Sequence, residues 1–255
     1  RAFSNFALKK FAQARTYFNE ISNNKKHPYF EESFYYSGLC SYYLKNYNAA
    51  YKSFQTLETS KKDGKIVPYY LTSIKFINKD YKGVVEYAEP KLKENINYQN
   101  EIKHLLGNAY FELKNYEKAL FYLEQYTKNA SKVTPEDYYI LGYVQVQNNQ
   151  CEKAISNLEH LSPLENALGQ NAMFLLGQCY EKSGMKNEAR TAFLQVARMN
   201  FDKTLQEDAW FDYAKLSYEL GYTNDALVAL KNFVQTYPNS KFSIEANELL
   251  ADLFL

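Results

Sequence analysis

The feature that most constrains this chain is an internal repeat of small residues. A Gly, Ala or Thr recurs every 34 to 37 positions along the 255 residues. These positions are Ala2, Gly38, Thr72, Gly107, Gly142, Gly177, Ala214 and Ala251. A period of this length predicts a solenoid of stacked helical units, because each unit buries its apolar face only against its neighbours.

Each period is predicted to contain two helices joined by a short turn. Leu-Lys-Asn-Tyr occurs at 44–47 and again, in the same phase, at 113–116. Twelve residues after the first seven small positions lie Ala14, Ala50, Val84, Ala119, Ala154, Ala189 and Ala226. Four residues further on lie Phe18, Phe54, Ala88, Leu123, Leu158, Phe193 and Leu230. The i, i+4 spacing is that of a buried helix stripe, and we expect Gly142 to cross the second helix where Ala154 lies. No alternating run predicts a strand.

The pattern resembles the tetratricopeptide repeat. Gly107, Tyr110, Tyr116 and Ala119 match the small, aromatic and alanine positions of that family, and Pro238 matches its closing proline. The resemblance implies an all-α, right-handed α-α superhelix of about seven helix pairs, truncated at both ends. It implies one domain over residues 1–255, with approximate units 1–28, 29–65, 66–99, 100–133, 134–168, 169–205, 206–242 and a partial unit 243–255.

Four segments point to a narrower group within that family. Residues 64–70, 87–90, 207–221 and 237–240 look like parts of the long multi-repeat tetratricopeptide proteins of Bacteroidetes-type cell envelopes. This likeness implies an exported parent protein in the periplasm or cell envelope. The segment itself begins at Arg1 and carries no stretch that resembles a signal peptide.

Composition excludes several classes of function. Thirty basic and 29 acidic residues give a net charge of +1, which disfavours nucleic-acid binding. The longest apolar run, residues 138–146, is too short to span a membrane. The three histidines show no spacing that assembles a catalytic or metal site, so we expect no enzymatic activity, metal or cofactor. The three cysteines, which we expect to be buried thiols, are Cys40, Cys151 and Cys179.

The 25 tyrosines and 17 phenylalanines suggest a contact surface. The first helix of each predicted pair carries a second i, i+4, i+7 stripe, on the side that lines the concave face in the resembled family. This aromatic stripe comprises Tyr35, Leu39, Tyr42, Tyr69, Phe76, His104, Asn108, Phe111, Tyr139, Tyr143, Phe174, Gln178, Phe211 and Tyr218. It is interpreted as a groove for an extended peptide or a helix of a partner protein. Two alternatives stay open: the rings pack on one another as core, or the groove binds a glycan.

Two further expectations concern partners. Carboxylate-clamp members of the resembled family hold a chaperone tail with Lys and Asn; here Asn108 matches one clamp position, but Tyr35, His104 and Tyr139 stand where Lys is expected. We therefore do not expect that class of partner. Apolar residues near both ends predict self-association through the terminal repeats.

Overall fold

The computed structural model describes residues 1–254, which form fifteen α-helices, one 3₁₀ turn and no strand. The helices are α1 (Ala2–Ala7), α2 (Phe11–Ser22), α3 (Phe30–Tyr43), α4 (Tyr47–Thr56), α5 (Val67–Ile77), α6 (Tyr81–Lys91), α7 (Gln99–Glu112), α8 (Tyr116–Asn129), α9 (Pro135–Gln147), α10 (Cys151–Leu158), α11 (Ala167–Lys182), α12 (Lys186–Arg198), α13 (Lys203–Glu219), α14 (Thr223–Thr236) and α15 (Ser243–Asp252). The 3₁₀ turn, Glu159–Leu161, follows α10. The all-helical repeat fold is confirmed.

Odd-numbered helices are the first helices of the pairs and even-numbered helices the second. The turn inside every pair contains one residue with a left-handed backbone, with φ between 58° and 76°. The residues at this position are Lys9, Lys45, Lys79, Lys114, Asn149, Gly184 and Gly221. In the Leu-Lys-Asn-Tyr turns, Lys reverses the chain and the next Asn caps the second helix: Asn46 accepts a hydrogen bond from Ala49 N–H, and Asn115 from Lys118 N–H.

The periodic glycines of the first helices lie against large residues of the second helices. A Cβ atom at Gly38 would lie 2.8 Å from Phe54 Cε1, and one at Gly142 would lie 2.6 Å from Leu158 Cδ2. The atoms nearest to a Cβ at Gly142 belong to Leu158, one turn beyond the fully buried Ala154 on α10. Only glycine permits this approach.

The chain divides into two compact units, described separately: the N-terminal unit, residues 1–130, and the C-terminal unit, from residue 131. In the N-terminal unit one core cluster contains Phe54, Leu71 and Ile74. In the C-terminal unit one cluster extends from Val146 to Ala246. The single superhelix over residues 1–255 stays a prediction.

Two sequence expectations concern burial. Cys40 and Cys179 are fully buried, but Cys151 is half-exposed, so the prediction of three buried thiols is wrong for Cys151. Cys151 is the first residue of α10, and this end of the helix lies at the surface. Over residues 1–254, no helix combines the length and the apolar character that crossing a membrane requires.

Candidate functional site

The aromatic stripe of the N-terminal unit begins on α3 and α5, where half-buried tyrosines interlock. The Tyr42 hydroxyl and Ser73 Oγ are 2.7 Å apart, which joins the two helices by a hydrogen bond. The rings of Tyr35 and Tyr70 have centroids 6.4 Å apart, and those of Tyr69 and Tyr98 lie 5.1 Å apart. Burial raises the pKa of Tyr35 and of Tyr69, so both phenols stay neutral hydrogen-bonding groups.

The stripe continues on α5 and α7 with Phe76, His104, Asn108 and Phe111, all half-buried. The His104 ring stacks on Tyr126 with a centroid distance of 4.2 Å. Asn108 Nδ2 donates a hydrogen bond to the His104 carbonyl oxygen over 2.8 Å. Packing on one side therefore fixes these side chains, while their other side remains partly open to solvent.

In the C-terminal unit the stripe lies on α9, α11 and α13. The rings of Tyr139 and Tyr143 lie 6.3 Å apart on α9, and burial raises the pKa of Tyr139. Phe174 meets the core residue Phe193 edge to face at 5.7 Å. Gln178 is half-buried, and Tyr218 donates a hydrogen bond to Asp252.

Two stripe residues are packing residues, which corrects the sequence prediction. Leu39 is 6% exposed and Phe211 is 2% exposed. The Phe211 ring stacks on Phe242, with a centroid distance of 4.3 Å and an interplanar angle of 5°. Because neighbouring side chains cover them, neither offers a surface to a partner.

The face of α13 carries a carboxylate that no sequence motif marks. Burial, Glu181 and Asp208 together raise the pKa of Asp212 to about 7, against the opposing effect of Lys215 and Lys241. The two lysines are held by other acids: Lys241 Nζ lies 3.0 Å from Asp208 Oδ1, and Lys215 Nζ lies 2.7 Å from the Glu245 carboxylate. This face of α13 therefore carries charged side chains, whereas the stripe on α3 and α5 carries tyrosine hydroxyls.

Several tyrosines outside the stripe have a structural role that composition did not reveal. Tyr110 donates a hydrogen bond to Glu89 over 2.8 Å, and Tyr180 donates one to Glu159 over 2.7 Å. In both cases the first-helix tyrosine reaches a glutamate 21 positions earlier, on the preceding pair. The spacing is a signal that sequence reasoning could have used. Part of the tyrosine content therefore joins helix pairs.

Cavities open on surfaces other than the stripe. One, of about 510 Å³, lies between the end of α10 and α12, with Met173, Leu176 and Tyr180 of α11 among its lining residues. Another, of about 560 Å³, is lined by residues of α6, α7 and α8 that include the exposed Phe121. Neither cavity contains a residue of the aromatic stripe. Within residues 1–254, no cluster of His, Cys, Asp and Glu has the arrangement of a metal site.

Comparisons with known proteins agree with this architecture. A family model described as "Anaphase-promoting complex, cyclosome, subunit 3" matches residues 112–196, and a tetratricopeptide-repeat model matches residues 208–240. Comparison with curated protein sequences finds no match.

Solved structures also share the fold. YrrB, described as a TPR protein with an unusual peptide-binding site, is 20% identical, with a TM-score of 0.63 over 78% of this chain and 100% of its own. A tetratricopeptide repeat protein from Parabacteroides merdae is 12% identical, with a TM-score of 0.54 over 100% of this chain and 96% of its own. The C-terminal part of a TPR protein from Cytophaga hutchinsonii is 16% identical, with a TM-score of 0.55 over 96% and 97%. With its repeated helix pairs, this chain shares the fold of these tetratricopeptide-repeat proteins, and residues 208–240 match the model of that repeat.

Proposed function

We propose that this chain is a non-enzymatic scaffold whose aromatic stripe binds an extended peptide or a helix of a partner protein. The observation that carries the proposal is the half-burial of every stripe residue except Leu39 and Phe211. Rings that are packed on one side and open on the other lose little conformational freedom on binding, and such aromatic residues commonly dominate protein interfaces. The peptide-binding site named for YrrB supports the same use of the fold.

The chemistry of each unit suggests what it would contact. On α3 and α5 the phenols of Tyr35, Tyr42 and Tyr69 combine apolar ring surface with neutral hydroxyls, which suits apolar side chains and peptide N–H and C=O groups. On α13, Asp212 and Lys215 suit a polar or charged segment. Substitutions in one unit therefore test the contact of that unit with the partner.

Site-specific photo-cross-linking in the native host tests the location. A benzophenone amino acid replaces Tyr69 or Tyr139 in the full-length protein, and the matched controls replace Phe121 or Val228, each 59% exposed on a second helix. We expect discrete adducts with one protein from the stripe positions and none from the controls. Adducts only from the control positions would contradict the stripe, and capture of polysaccharide would favour glycan binding.

The affinity of the captured partner gives the second measurement. Tyr69→Ala should weaken binding by roughly 1–3 kcal/mol, the range of an interface hot spot. Phe121→Ala should leave affinity unchanged. If Tyr69→Ala lowers thermal stability but not affinity, the stripe is packing surface.

We further propose that the parent protein resides in the bacterial cell envelope, which rests on the sequence resemblance. Fractionation of native cells should recover it with periplasmic or envelope markers. Recovery with cytoplasmic markers alone would overturn this location.

Self-association through the terminal helices also remains a proposal. Phe3 and Leu8 at α1 are 42% and 66% exposed, while Ile244 and Phe254 near the other end are 77% and 64% exposed. Light scattering of the purified chain should show a mass that rises with concentration, and Leu8→Glu with Ile244→Lys should lower it. A constant monomer mass would contradict the proposal.

A further inference from the structure

Two thiols of the C-terminal unit lie against each other. Cys151 Sγ and Cys179 Sγ are 2.7 Å apart, only about 0.7 Å beyond the length of a disulfide bond. Cys151 is the first residue of α10, and Cys179 lies within α11, the first helix of the next pair. We propose that Cys151 and Cys179 are a redox-active pair that closes to an intramolecular disulfide and ties α10 to α11.

The two thiols differ in accessibility in the way such a pair requires. Cys179 is fully buried, whereas Cys151 is half-exposed and lines an open cavity of about 500 Å³. Lys153, Lys182 and one acid, Glu152, line the same cavity, so its rim carries a net positive charge. An external disulfide therefore reaches Cys151 and not Cys179, and a basic rim favours an oxidant that carries carboxylates, such as a small peptide disulfide.

The reaction balances as a thiol–disulfide exchange. The Cys151 thiolate attacks one sulfur of the external disulfide RSSR, and one RS⁻ leaves. The Cys179 thiol then loses its proton and attacks the Cys151 sulfur, which expels the second RS⁻. The two cysteines lose two electrons and two protons, and RSSR is reduced to two RSH.

The environment of Cys179 favours the thiol in the reduced protein. Burial and the neighbouring Cys151 sulfur raise the pKa of the Cys179 thiol, while Lys182 lowers it. Cys179 therefore deprotonates only as it resolves the mixed disulfide, and closure should be faster at higher pH. Positioned next to Cys151 and shielded from solvent, it is suited to the resolving role.

Closure would stabilise the C-terminal unit. The bond would close a loop from residue 151 to residue 179 and restrict the unfolded chain. For a loop of this length we expect the unfolding midpoint to rise by about 5–15 °C. The third cysteine is an internal control, because Cys40 is buried in the N-terminal unit.

The test uses the whole chain with oxidised glutathione as the probe. After acid quenching and alkylation under denaturing conditions, mass spectrometry should find a Cys151–Cys179 cross-linked peptide and a chain that carries two alkyl groups fewer than the reduced protein. Dithiothreitol should reverse both the cross-link and the rise in unfolding midpoint. Cys151→Ser should abolish them, whereas Cys40→Ala should retain them.

Other products would overturn the proposal. These are Cys151 recovered as a stable mixed disulfide with glutathione, a Cys151-linked dimer, or two thiols that both remain alkylatable after unfolding. Cys151→Ser is a mild change at a half-exposed position, so loss of the cross-link with an unchanged circular-dichroism spectrum separates redox chemistry from misfolding.

Discussion

The N-terminal unit joins its helix pairs with tyrosines, whereas the C-terminal unit adds an arginine, Arg190, between two of its pairs. In the first, Tyr70 stacks on Phe54 at 4.7 Å and Tyr87 donates a hydrogen bond to Glu58 over 2.7 Å. In the second, Arg190 of α12 donates to Ser217 Oγ over 2.8 Å and lies 4.2 Å from the centroid of the Tyr222 ring. One repeat fold thus tolerates different contacts between pairs, provided that the small-against-large packing inside each pair is kept.

The largest expected effect comes from the packing position common to both units. Phe54 and Phe193 are fully buried above Gly38 and Gly177, so replacing either by Ala should cost roughly 3–5 kcal/mol of unfolding free energy. Denaturant unfolding with hydrogen exchange measures the effect in each unit. We expect Phe193→Ala to lower protection in the C-terminal unit and Phe54→Ala in the N-terminal unit. Equal loss in both units from one substitution would show that they unfold together.

A smaller effect should follow from filling the glycine positions. Gly142→Leu should overpack against Leu158 and cost roughly 1–3 kcal/mol. Gly107→Leu should cost more, because its Cβ would lie 2.6 Å from Leu123 Cγ and 3.3 Å from the Leu123 backbone nitrogen, which cannot rotate away. Thermal unfolding measures both, with Val228→Leu, at an exposed position, as the control. If Gly142→Leu unfolds at the same temperature as the Val228→Leu control, the register described for α9 and α10 is incorrect.

The tyrosine–glutamate bonds predict costs of about 1 kcal/mol or less. Glu159 accepts a hydrogen bond from Tyr180, and Tyr180→Phe should cost about 1 kcal/mol. Tyr110→Phe should cost less, because Glu89 keeps its bonds to the Tyr122 hydroxyl and to Lys118. Double-mutant cycles with the glutamates changed to Gln measure the coupling energies. A larger coupling energy for Tyr110 with Glu89 than for Tyr180 with Glu159 would contradict the predicted order.

A fourth prediction is a pH dependence confined to the C-terminal unit. Burial, Glu181 and Asp208 raise the pKa of Asp212 from its ordinary value of 3.8 to about 7, despite Lys215 and Lys241. The folded state therefore binds this proton more tightly than the unfolded state, and stability falls as pH rises from about 4 to 7. Asp212→Asn should flatten this slope and stabilise the unit at pH 8. An unchanged slope across this interval would show that Asp212 is not its source.

The sequence alone determined the helical repeat. Side chains at fixed spacing must share a helix face, so the phase of Gly38, Gly142 and Gly177 sufficed to predict the pairs. The capping of α9 was equally local: the Thr134 side chain accepts the Asp137 N–H, and the Asp137 side chain accepts the Thr134 N–H.

Only the tertiary structure decided which side chains each helix meets, because contacts between pairs depend on how far one helix is rotated against the next. Leu39 and Phe211 shared the phase of the candidate surface, yet neighbouring side chains cover them. Cys151 and Cys179 showed no motif, yet the packing of α10 on α11 brings their sulfur atoms together. The periodicity of a chain specifies the faces of its helices, whereas the depth at which each face is buried depends on residues distant in sequence.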